Sequence, residues 1–261
     1  MFRTLVYFLY MNSKKYFWYR FIIIWTLGVL STLAVMPYLL VLQSDTLTSL
    51  PVSLGTLILI SVAQSGILLA IIIGLGLKMA DSIGIQTPLL KSVLQNEPNP
   101  ALKKFIRTSI ILGAIIGTLI FVGDKLFAVF IPELATVSQP ALWKGLLASF
   151  YGGITEEILM RLFLMTLLLW IIVKVIKVSN IKENVVVVTS VITVIAVIFG
   201  LLHLPATALV VDITPLIVVR ALVLNGIGAI VFGWLYWRHG LEFAMISHFT
   251  TDVILQSLQS M

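Results

Sequence analysis

Cysteine is absent from the 261 residues, which excludes a disulfide framework, a thiol nucleophile and any thiolate metal site. Charge is scarce as well. Only 11% of residues are Asp, Glu, Lys or Arg against 60% hydrophobic, and the mean hydropathy of +1.11 lies far outside the range of soluble domains. There is no internal repeat of the kind many transporters carry. The opening MFRTLVYFLYMNSKK has no small-residue cleavage site and reads as a retained interfacial segment, not a signal peptide.

What the chain does have is apolar runs. Crossing a bilayer takes about 20 such residues, and runs of that kind cover 20–43, 54–77, 106–122, 154–173, 185–203, 215–237 and 241–258. An eighth candidate, 140–151, is too short to span and reads as an interfacial helix leading into a break at Gly152 and Gly153. The expected fold is all-α: a polytopic transmembrane bundle of about seven to eight spans, forming one integral membrane domain over 1–261. The single sizeable polar connection, 79–105, reads as a linker.

The formal charge of +6 does not imply nucleic acid, because the basic residues form no stripe. They gather in alternate loops: Arg3, Lys14, Lys15 and Arg20, then Lys78, Lys91, Lys103, Lys104 and Arg107, then Lys174, Lys177 and Lys182, then Arg238. The intervening loops hold Lys125 and Lys144. The positive-inside rule then predicts a cytoplasmic N-terminus and, with seven spans, an external C-terminus. The lipid bilayer is the partner that composition implies, and oligomeric state is left open.

Subtracting loop charges leaves Glu156, Glu157, Arg161, His203, Arg220, His248 and Asp252 at membrane depth, where each ionisable group is costly and points to function. Glu157 and Arg161 stand four apart, within ion-pair reach on one helix face, with Glu156 rotated about 100° away. A helix start capped by Thr155 would also place acidic residues there. His203 follows Phe199 by four residues and ends the fifth span. His248 and Asp252 share a face of the last span, where a mutual hydrogen bond would satisfy both. Arg220 and Asn225, in span six, are candidate contacts for a substrate carboxylate or a lipid headgroup, while His239 lies in a basic loop and is expected to be exposed. Two carboxyls and two histidines from three spans are the inventory for activating water and stabilising an oxyanion.

Glu156, Glu157 and Arg161 match an EExxxR pattern, Phe199 and His203 match FxxxH, and His248 with Asp252 matches HxxxN/D. In this order, each on an expected membrane helix, they resemble the CAAX prenyl protease and bacteriocin-processing family of intramembrane proteases (CPBP or Abi proteins). The stretch GWLYWRHGLEFAMISH is also similar, and the motif-bearing half spans about 152–258. The resemblance implies an endopeptidase cleaving a peptide or protein precursor (bacteriocin, leader or CAAX-like). Glu156 and His203 would activate water, and Glu157 and Arg161 would support the site together with Phe199. His248 and Asp252 would bind the oxyanion, with Asp standing where many relatives have the donor Asn. Alternatively Asp252 would orient His248 by accepting its ring proton. Glu156, His203 and His248 would also suffice for a zinc site with one open position. HExxH is absent and the three residues come from distant helices, which favours direct water activation, so no cofactor is firm. The rivals are a non-catalytic self-immunity or scaffold protein of the same family, and a proton-coupled transporter. A multi-pass protein of a bacterial plasma membrane, its site recessed in a cavity among spans four, five and seven, is the expectation.

Overall fold

Backbone amides in hydrocarbon must be satisfied within their own segment, so long apolar runs become helices. The computed structural model describes residues 13–43, 51–137, 140–179, 181 and 183–261. The expected N-terminal interfacial segment falls on residues 1–12, outside the described ones, apart from its last three residues, which open the first helix. Among the described residues all regular structure is helical: α1 (Ser13–Leu42), α2 (Leu54–Ile83), a short α3 (Pro88–Leu94) and α4 (Ala101–Phe130) come first. A 3-10 stretch, Pro132–Thr136, precedes α5 (142–174), then come α6 (Val185–Leu202), a single turn Leu204–Thr207, α7 (Pro215–His239) and α8 (Leu241–Gln259). Side-chain caps mark three starts: Ser53, Asn184 and Thr214 accept from the amides of Thr56, Val187 and Ile217, each satisfying an otherwise orphaned donor.

Five of these helices are long and apolar enough to cross a membrane: Ser13–Leu42, Leu54–Ile83, Ala101–Phe130, Val185–Thr207 and Pro215–His239. The expected count of seven to eight is not reproduced by this measure. The two remaining runs, within α5 and α8, are helical but carry the first and third motifs, and their polar residues make them interior elements rather than lipid-facing ones. Outward side chains of the five, among them Leu59, Ile67, Val129 and Val186, are exposed, as surfaces meant for lipid are.

α5 corrects a second expectation. No break occurs at Gly152 and Gly153. The helix begins at Leu142, widens into π geometry over Tyr151–Glu156 and Ile158–Met165, and ends at Lys174. Thr155 is therefore not an N-cap. It is buried mid-helix, with Oγ1 2.6 Å from Ser31 Oγ and 3.3 Å from the Gly28 carbonyl of α1. The linker 79–105 is likewise largely helical, since α2 runs on to Ile83 and α3 folds within it.

Close backbone approach holds α8 in the middle. A Cβ on Gly113 or Gly117 of α4 would collide with the carbonyls of Ser247 or Thr251, and one on Gly145, Gly152 or Gly153 of α5 would collide with Gln256, Asp252 or Phe249. Small residues at such seams permit the packing that associates helices in lipid. Cross-contacts fix the directions. Arg20 meets Asp81, Leu90 meets Glu242 and Phe105 meets His239 at one end of the bundle, and Asp124 meets Arg220 toward the other. The basic residues of the alternate loops that lie among the described residues thus share an end. Arg20, read from sequence as a loop charge, is 3% exposed inside α1 and grips Asp81 through both nitrogens at 3.0 and 2.6 Å.

Replacing Gly113 by Leu should force α4 away from α8 and lower stability by about 1–3 kcal/mol, as overpacking does. Thermal unfolding in detergent is the measurement, and an unchanged midpoint would refute the seam.

Candidate active site

Three helices bring the motifs side by side, with His203 at the C-terminal end of α6. α5 supplies Glu156, Glu157 and Arg161, α6 supplies Phe199 and His203, and α8 supplies His248 and Asp252. π-Helical geometry widens the backbone where the first motif sits, a feature frequent at functional sites.

Glu157 is the centre of this arrangement. Fully buried, its Oε1 lies 2.9 Å from Arg161 Nη1 and 2.8 Å from His248 Nδ1. The expected Glu157–Arg161 pair is present, and the contact to His248 is an addition that spacing could not reveal, because it joins positions 91 residues apart. Arg161 also donates from Nη2 to the Ala229 carbonyl of α7 at 3.1 Å. Its guanidinium faces the rings of Phe199 and Phe232 at 5.2 and 5.5 Å, within cation–π range.

The imidazole of His248 is held on three sides. Phe232 stacks on it at 4.4 Å between centroids, Phe199 meets it edge-on at 5.8 Å, and Nδ1 is engaged by Glu157. With Nδ1–H donated to that carboxylate, Nε2 is the atom left to face the site. Glu156 Oε2 lies 3.8 Å from it and Asp252 Oδ1 3.7 Å. Both distances exceed a hydrogen bond, so the expected His248–Asp252 bond is not formed. Glu157, not Asp252, orients the ring. The side chains of Glu156 and Asp252 are each 24% exposed, against 0% for Glu157 and Arg161, which separates two accessible carboxyls from a sealed ion pair. Gly152 backs the site. Its missing side chain leaves the room that Asp252 and His248 occupy, since a Cβ there would overlap Asp252 Oδ2 and stand 3.3 Å from His248 Nε2.

His203 is brought near through a ring rather than a hydrogen bond to the other motifs. Phe199 packs against it at 4.6 Å, and Nδ1 of His203 donates to the Phe199 carbonyl at 2.8 Å, leaving Nε2 as its free nitrogen. Phe199 therefore touches Arg161, His203 and His248, one residue from each motif. Among the described residues no group of three His, Asp or Glu side chains is arranged to hold a metal ion.

Arg220 and Asn225 have partners elsewhere. Arg220 Nε donates to Asp124 Oδ1 at 2.8 Å, with Nη2 on the same oxygen, and Asn225 Nδ2 donates to the Ala221 carbonyl at 2.9 Å. Asp124 escaped the sequence reading because the third run seemed to end at 122, whereas α4 continues to Phe130. His239, expected to be exposed, is partly covered by Phe105, its ring centroid 4.3 Å away. Two cavities, of about 370 Å3 beside Ser82 and Val173 and about 270 Å3 beside Gln86 and Arg238, contain no motif residue, so neither corresponds to the expected recess among spans four, five and seven.

Residues 138–254 match the family model of the type II CAAX prenyl endopeptidase Rce1-like family. The motif-bearing segment is Rce1-like. The resemblance read from the three motifs is thereby borne out over this segment, and the five apolar helices point with it to a membrane protein. No curated protein and no solved structure matches the chain.

Removing one member of a buried ion pair strands the other, at about 3–5 kcal/mol. Arg161→Ala should therefore lower the unfolding midpoint sharply, whereas Glu156→Gln, at a partly exposed group, should leave it nearly unchanged. Equal midpoints for both variants would remove the distinction between support and site.

Proposed function

We propose that this protein is an intramembrane endopeptidase in which Glu156 activates water against a peptide bond of a membrane-delivered precursor. One observation carries the reading: the free Nε2 of His248 faces two partly exposed carboxyls, Glu156 and Asp252, at 3.8 and 3.7 Å, while a sealed Glu157–Arg161 pair fixes the ring from behind.

Glu156 takes a proton from water as the oxygen adds to the scissile carbonyl carbon. The developing oxyanion is met by donors from α8, namely Nε2–H of His248 as an imidazolium and the acid proton of Asp252, in the manner of an oxyanion hole. The C–N bond then breaks, and the amine leaves with the proton that Glu156 took from water, returned directly or relayed through Nε2 of His203, the nitrogen not bonded to Phe199. Preorganisation comes from what does not react. Arg161 and Glu157 hold His248, Phe199 and Phe232 fix its plane, and Gly152 keeps the space in front of it open. The substrate class is a peptide or protein precursor, with a CAAX-like tail or a leader as the segment cut, in a bacterial cell membrane. The basic end of the bundle is its cytoplasmic face by the positive-inside rule.

Mass spectrometry of membrane peptides from cells with and without the protein identifies the bond. On that substrate Glu156→Gln and His248→Ala should each lower turnover by at least about 10² with the fold intact. Asp252→Asn restores a permanent donor and should keep activity within about tenfold. A loss as large as that of Glu156→Gln would mean that Asp252 works as a carboxylate. Peptide binding without turnover in the native protein would favour the scaffold reading.

A further inference from the structure

The smaller cavity, of about 270 Å3, lies at the basic end of the bundle, away from the motifs. Its walls are the turn after α2, where Gly84 takes the left-handed conformation (φ 77°), and the α7–α8 junction, where Gly240 sits at φ 109°. Gln86, Tyr236, Trp237, Arg238 and His239 line it, and none of its lining residues is acidic. The side chain of Arg238 is exposed, and its guanidinium carbon lies 4.8 Å over the Trp237 ring. Among the described residues no carboxylate pairs with it. His239 packs against the Phe105 ring at 4.3 Å and meets Trp234 edge-on at 5.4 Å. The Phe105 contact draws the first turns of α4 alongside, with Lys103, Lys104 and Arg107 all exposed.

A guanidinium, an imidazole, an amide and an indole thus converge on a concave spot at the membrane edge. Of the acidic side chains nearby, Asp81 pairs with Arg20, and partly buried Glu242 accepts the Leu90 amide at 3.0 Å through one oxygen. Unpaired bases with aromatic neighbours at that level recognise a phosphate anchored in the bilayer.

We infer that this cavity is a binding site for a phosphate-bearing anion, supplied by the headgroup of an anionic phospholipid. The phosphate takes its hydrogen bonds from Arg238 and Gln86 and its charge from Arg238 and the α4 bases, while the acyl chains follow the outer face of α7. This assignment is independent of the peptidase reading, since no residue of the cavity belongs to the motifs.

The test uses the full-length protein in detergent, with soluble short-chain phosphatidylglycerol, short-chain phosphatidylcholine and inorganic phosphate as probes, followed by thermal unfolding and native mass spectrometry. Phosphatidylglycerol should raise the midpoint and remain bound in the gas phase, and phosphatidylcholine should do neither. The double variant Arg238→Gln, His239→Gln should weaken phosphatidylglycerol binding roughly tenfold. Lys125→Gln at the opposite end should not. Should the double variant fail to fold, Arg238→Gln alone serves, because that side chain is exposed. Equal binding by variant and native protein, or equal binding of the two lipids, overturns the site. Inorganic phosphate competing as well as the lipid overturns the lipid source and assigns the cavity to a soluble phosphate.

Discussion

The carboxylate of Glu157 is the contact on which the other parts depend. It takes one partner from its own helix and one from α8, so a single buried charge sets both the rotation of the first motif and the plane of the His248 ring. A charge in a sealed interior is expensive unless it is paired and hydrogen-bonded. That cost makes any displacement of α8 relative to α5 unfavourable. The glycine seams then supply the short interhelical distance at which the pairing can be made. Electrostatics selects the register, and packing makes the register reachable.

This division of labour explains the two kinds of carboxyl in the site. Glu156 and Asp252 retain some exposure, while Glu157 has none. Adjacent residues of one helix differ because the wide backbone of α5 points one toward the His248–Arg161 cluster and leaves the next beside the Nε2 face. Water can reach the second kind and not the first. A group that exchanges protons needs that access, and a group that holds geometry is better without it.

Hydropathy made the helices legible, and each of the seven runs found in the sequence falls inside a helix of the structure to within a residue. Which of them line the interior was less legible, because a span bearing motifs and a span facing lipid look alike until their neighbours are known. The pairing of Glu157 with Arg161 was readable, being local, i to i+4. The bond from Glu157 to His248 was not, nor were the stacking of Phe232, one of fourteen phenylalanines, and the support of Thr155 by Ser31, since each is a tertiary contact with no periodic signal. The continuity of α5 through Gly152 and Gly153 overrode a strong local breaker signal. There the glycines serve close approach to α8, and tertiary packing outweighs their intrinsic cost in a helix.

The ion pair between Asp124 and Arg220 has a temporal side. Its partners are 96 residues apart, which at synthesis rates of about 5–20 residues per second separates their emergence by roughly 5 to 20 s. Throughout that interval Asp124 lacks the guanidinium that engages it in the folded bundle, and an aspartate without its partner suits a helix poorly for full release into lipid. The arrival of α7 removes the obstacle. The order of two charges along the chain thus leaves the earlier one without this partner until the later helix has been made.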